Sequence, residues 1–141
     1  MNIDWVIPCR FVEVHDNLAT IVGAGIDTFW MPELPALVQV MLAVRLLGMV
    51  DEFDPEVKHT LKSQIRDPLG NVLTETSGGM AIGGQSARPE WLAGITLPLL
   101  VVFDVADEGT YTIEFSVDDA SKSLPIHVVE GLPPGAPTST E

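Results

Sequence analysis

The sequence predicts an all-β fold, a single antiparallel β-sandwich of about seven to nine strands, and three observations carry that expectation. Residues 111–117 alternate strictly, with Tyr111, Ile113, Phe115 and Val117 on one side and Thr112, Glu114 and Ser116 on the other. Series of the same period recur along the chain, separated by turn residues such as Asp67-Pro-Leu-Gly70. No stretch carries a convincing helical stripe.

In chain order, residues 9–15 and 18–22 are two short extended pieces around an Asp16-Asn17 turn, with Val12 and Val14 inward. Gly23-Ala-Gly25 permits backbone angles that other residues resist. The aromatic-proline segment 28–35 is expected to cross one end as a connection, outside any regular ladder. Val38, Val40, Leu42, Val44 and Leu46 form a period-two series, whereas a helical stripe would place Gln39 or Arg45 close to its centre, so strand is favoured. An acidic turn over 51–56 leads to a strand over 57–67 with Lys58, Lys62 and Arg66 on its outer face. That face is expected to pair across to Glu114 and Asp118 on the strand that begins at Thr110.

Residues 72–76 complete a hairpin, and the glycine-rich stretch 77–88 reads as a mobile linker. Ile95, Leu97, Leu99, Val101 and Phe103 alternate with a series containing Pro98, which confines this strand to a sheet edge. Leu124, Ile126 and Val128 make a last inward series. The domain is assigned to residues 1–130 and a proline-rich C-terminal tail to 131–141.

Length and charge bound the function. The 141 residues suit one domain, and seven basic against twenty acidic residues give a net charge of −13. Such a field repels phosphate backbones and anionic lipid, so neither nucleic acid nor a membrane is expected as a partner. A single cysteine, Cys9, and an opening without a basic, apolar leader point to the cytoplasm. The longest apolar run, residues 34–50, is too short to span a bilayer and is interrupted by Gln39 and Arg45.

Asp107-Glu-Gly-Thr-Tyr111 resembles the tyrosine corner of immunoglobulin-like sandwiches, in which the phenol bonds back to backbone a few residues upstream. The resemblance implies an immunoglobulin-like topology, with Ile113 standing where antibody domains carry a cysteine. The segment from Arg10 to Gly25, the Asp67-Pro-Leu-Gly70 turn, Arg88-Pro89 and Glu108-Gly109-Thr-Tyr111 together resemble an uncharacterised, largely actinobacterial family of small immunoglobulin-like domains of unknown function. The likeness spans roughly residues 9–129 and implies a fold without an activity.

The chemistry-bearing residues give little. His15, His59 and His127 lie on three different strands without metal-ligand spacing, and Cys9 suits a small buried residue. Ser77, Ser86 and Ser116 have no neighbouring base, so no enzyme and no cofactor are expected. Asp51, Asp54, Asp118 and Asp119 are the calcium candidates, weighed against a solvated acidic rim as the default.

Two function classes remain. The first is a non-catalytic protein-interaction or assembly module, acting as a homo-oligomer or with a protein partner. Its interface candidates are Leu100, Val102, Val129, Leu37 and Met41. The alternative is a domain for a small ligand such as a carbohydrate, or a minor enzyme, whose mouth is formed by Phe29, Trp30, Trp91 and the glycine loop.

Overall fold

The computed structural model describes residues 1–83 and 86–137. The chain is all-β, with no α-helix among the described residues. In order come β1 (Asn2–Cys9), β2 (Phe11–His15), β3 (Leu18–Val22), β4 (Thr28–Met31) and β5 (Ala36–Gly48). After a 3-10 turn at Val50–Phe53 follow β6 (Lys58–Arg66), β7 (Val72–Ala81), β8 (Ala93–Val105), β9 (Gly109–Val117) and β10 (Ala120–Glu130). They form a three-stranded sheet β1-β5-β8, a five-stranded sheet β4-β10-β9-β6-β7 and the hairpin β2-β3.

One hydrophobic core joins the two larger sheets. The β5 series Val38, Val40, Leu42, Val44 and Leu46 is at most 1% exposed, and it clusters with Ile113, Phe115 and Val117 of β9 and Ile126 and Val128 of β10. Each such side chain contributes about 1.5–3 kcal/mol on burial, so the period-two pattern of β5 and β9 dictates how the sheets face. Tyr111 is buried in the same core, its ring 5.7 Å from that of Phe103.

The hairpin forms a partial third layer. Asp16 and Asn17 both take positive φ, 50° and 62°, the conformation of a two-residue turn whose twist suits an antiparallel pair. Val12 turns inward as predicted and packs with Cys9 of β1 and Ala43 of β5 on the outer face of the three-stranded sheet. That placement explains why the second face of β5 is mixed in character: part of it is covered.

Two expectations are corrected. Residues 28–31 are a strand, β4, which pairs parallel with β10 from Thr28 opposite His127 to Met31 opposite Glu130. Pro32 and Pro35 fall beyond the strand, so their missing N–H groups interrupt nothing. Residues 77–81 are no linker but continue β7, where Gly79 sits opposite Thr60. An edge strand needs only one bonded neighbour, and glycine meets that requirement with backbone alone. Of the remaining loop, residues 84–85 lie outside the described residues, as do 138–141 of the expected tail.

β1 is a strand that the sequence pattern did not mark. It pairs antiparallel with β5, and a bulge between Ile3 and Trp5 puts Ile3 and Val6 in the same core although three positions apart, which disrupts the period-two signal. Among the described residues no helix is long and apolar enough to cross a membrane.

Candidate functional site

The outer face of the three-stranded sheet is divided in two. The hairpin runs from the Cys9 side of the sheet to β8, where its tip is fixed by three hydrogen bonds. Asn17 Nδ2 donates to the Gly94 carbonyl at 2.5 Å, the Thr96 N–H donates to Asn17 Oδ1 at 2.6 Å, and the Thr96 hydroxyl donates to the Asn17 carbonyl at 3.1 Å. Beyond the hairpin the register of β5 on β8 sets Met41 opposite Leu100, Gln39 opposite Val102 and Leu37 opposite Asp104. Leu37, Leu100 and Val102 remain 51%, 58% and 38% exposed, while Met41 is half-buried against the Cys9–Val12–Ala43 cluster. Four of the five interface candidates are therefore neighbours on one corner. Val129 does not join them, because it is half-buried on the other sheet, opposite Trp30 of β4.

The aromatic candidates separate as well. Phe29 and Trp30 line a cleft of about 430 Å³ with Cys9, Arg10, Ile26, Thr28, Gln39 and Pro133. Trp91 lies just before β8, whose first residue faces Gly48 at the far end of β5 from Gln39. There it stacks with Arg88, whose guanidinium carbon is 5.4 Å from the ring centroid. Cys9 contacts the Met41 carbonyl at 3.5 Å, and burial pushes its thiol pKa up, which disfavours the nucleophilic thiolate.

The acidic turns hold a histidine. His59 is 4% exposed, with Nδ1 2.7 Å from Asp118 Oδ2 and Nε2 donating to the Glu52 carbonyl at 2.6 Å. Both ring nitrogens face acceptors, so the imidazolium is the favoured form. The Asp118 bond, then the Glu52 carbonyl, raise its pKa above 6.5. Asp118, at φ 50°, also accepts the Thr60 N–H at 2.9 Å. Its burial works against the charge, yet the bonds from His59 and Thr60 outweigh it and hold the carboxyl below 3.8.

This engagement occupies both carboxylate oxygens of Asp118, one of the calcium candidates. Asp54 accepts the Glu56 N–H at 2.8 Å, and among the described residues no group of three or more His, Cys, Asp or Glu, with Asp51 and Asp119 included, is placed to hold a metal ion. The sequence did carry a signal for the His59 pair: a histidine at the core parity of Leu61 and Ile65 needs buried partners.

The basic stripe pairs differently from expectation. β6 does lie antiparallel to β9, but its register sets Lys62 opposite Ser116 and Gln64, not a lysine, opposite Glu114. Lys62 instead reaches Glu75 on β7 at 3.5 Å, and Arg66 bonds the Gly70 carbonyl and Gln64 Oε1, each at 3.0 Å.

No curated protein matches the chain. Residues 4–129 match the model described as a family of unknown function (DUF6941), and the chain belongs to that family.

Proposed function

We propose that the domain is a non-catalytic protein-interaction module of immunoglobulin-like architecture, and that it meets its partner through the corner formed by Leu37, Met41, Leu100 and Val102. The architectural part is supported by strand order. The two sheets read A-B-E and A′-G-F-C-C′ when β1, β5 and β8 take the first three letters and β4, β10, β9, β6 and β7 the rest. The Tyr111 hydroxyl, donating to the Asp107 carbonyl at 2.7 Å, adds the corner that accompanies such sandwiches.

The observation that carries the interaction is the Met41–Leu100 pair. One half of this sheet face has a dedicated cover, the β2-β3 hairpin, while the adjoining half presents three large apolar side chains to solvent. The net charge of −13 opposes self-association at low ionic strength, which favours a heteromeric partner over a second copy. Catalysis has little to work with, since the Cys9 thiol is held neutral and both His59 nitrogens are engaged.

The test is the double substitution Leu100→Lys with Val102→Lys, compared with wild type by light scattering and by capture from native lysate. The fold should change by no more than about 0.5 kcal/mol, as for exposed positions, while association is lost. Unchanged association would remove the corner from consideration.

A second reading rests on the Phe29–Trp30 cleft. A Cβ on Gly23, at φ +68°, would meet Arg10 Cγ at 2.8 Å, so the glycine lets the arginine stem pack beside the cleft. Arg10 next to an exposed Trp30 suits an acidic sugar. Titration with glucuronate should shift the Trp30 indole N–H saturably, and Arg10→Gln should abolish the shift. No saturable shift would dismiss this cleft.

A further inference from the structure

The free edge of β8 is half closed and half open. In an antiparallel ladder alternate residues turn both backbone groups away from the bonded neighbour. The Gly94 carbonyl and the Thr96 N–H go to Asn17 and not to β5, so Gly94, Thr96, Pro98, Leu100, Val102 and Asp104 direct their backbone groups to the free edge. Asn17 caps the first two, and Pro98 has no N–H to offer. These are the devices by which natural sheets protect an edge, and they stop at Pro98. The N–H groups of Leu100, Val102 and Asp104, which turn away from β5, have no backbone partner among the described residues.

The flank beside this edge is under-filled. The three-stranded sheet ends at β8 and the five-stranded sheet at β7, and between them lies a depression of about 370 Å³ lined by Leu61, Leu97, Leu99, Phe115, Met80 and the Gly78-Gly79 backbone. Leu61, Leu97 and Leu99 have core parity yet stay partly exposed, while Val101, Phe103 and Val105 further along β8 are buried. Of the inward positions of β7, Thr74, Thr76 and Gly78 are too small or too polar to fill that space, and Met80 stays half exposed at its rim. Toward the end of β8 a second depression of about 300 Å³ carries four carboxylates, Asp67, Asp104, Asp107 and Glu108, beside an apolar wall that includes Leu69 and Leu73.

We propose that the Leu100–Asp104 edge of β8 binds an extended segment of another protein chain as an added antiparallel strand, with apolar side chains entering the leucine-lined depression and a positive charge at the segment's N-terminal end. The backbone edge supplies the hydrogen bonds, the unfilled core supplies side-chain pockets, and Asp104, Asp107 and Glu108 set the sign of the charge that an antiparallel strand brings to that end. This site rests on the interaction-module reading but uses backbone groups, whereas the corner uses side chains.

The test uses two peptides, acetyl-Lys-Val-Thr-Val-Thr-Val-amide and the same sequence beginning with Glu, followed by fluorescence anisotropy of labelled peptide and amide hydrogen exchange of the full chain. The Lys peptide should bind saturably and slow exchange at Leu100, Val102 and Asp104 by about tenfold or more, and the Glu peptide should bind about tenfold more weakly. Leu100→Pro removes an edge N–H that the β5 ladder does not use and should abolish binding, while Leu100→Lys, which keeps that N–H, should retain it. Should Leu100→Pro fail to fold, Val102→Pro tests the same edge, and the exchange readout on wild type needs neither. Unslowed amides, equal affinity for the two peptides, or binding unaffected by proline would overturn the proposal. Loss with proline but not lysine supports the edge whatever becomes of the corner; the reverse overturns the edge and leaves the corner standing.

Discussion

His59 and Asp118 meet at 2.7 Å and tie the first residues of β6 to the β9–β10 turn. Because the folded pKa of His59 is raised above 6.5, its contribution to stability is complete below pH 6.5 and is lost as pH rises through the folded value. Asp118 acts in the opposite sense: its contribution is present above pH 3.8 and is lost as pH falls through its lowered folded value. Urea midpoints should therefore fall on the alkaline side of 6.5 in wild type, and His59→Gln should flatten that limb. An alkaline limb that survives the substitution would assign it to other groups.

The turn that leads into Tyr111 has two requirements that can be measured separately. Tyr111→Phe removes the bond to the Asp107 carbonyl and should cost about 1 kcal/mol with the core otherwise intact. Gly109→Ala should cost about 1–3 kcal/mol, since Gly109 has φ +146° and an added Cβ would lie 2.6 Å from Pro68 Cγ. Chemical denaturation of both variants checks the order.

Asn17→Ala removes both side-chain bonds from the hairpin tip to β8 and places alanine at φ 62°. A loss of about 1–2 kcal/mol is expected, with the Thr96 amide, freed of its partner, exchanging faster by NMR. Wild-type protection at Thr96 in this variant would show that Asn17 is not its partner in solution.

A double-mutant cycle on Lys62 and Glu75 should give a coupling of about 0.2–1 kcal/mol, as for an exposed pair 3.5 Å apart. The same cycle on Lys62 and Glu114 should give almost none, because Ser116, not Glu114, lies opposite Lys62. A reversed ranking would mean a different register for β6 on β9.

The elements with clean alternation were legible in the sequence, and those whose pattern is broken by local geometry were not. β5 and β9 declare themselves because one face is wholly apolar and a strand hides that face by parity alone. β1 escaped because its bulge offsets Ile3 from Trp5, and the end of β7 escaped because glycines carry no pattern. At the site, the exposure of Leu100 and Val102 followed from their outward parity. The separation of Val129 and Trp91 from their intended groups did not, since period two fixes a face within one strand but not which sheet or end that strand occupies.

Cys9 lies 2% exposed beneath Val12 and beside Ala43, under the cover that the hairpin makes. A thiol reagent reaches it only when that cover lifts, so the ratio of its labelling rate to that of an unstructured cysteine is the equilibrium constant for lifting. The molecule thus contains its own clock for one local motion, separate from global unfolding and readable at a native side chain without engineering one in. Loosening the Asn17 clip should quicken the clock while the melting of the two-sheet core lags behind.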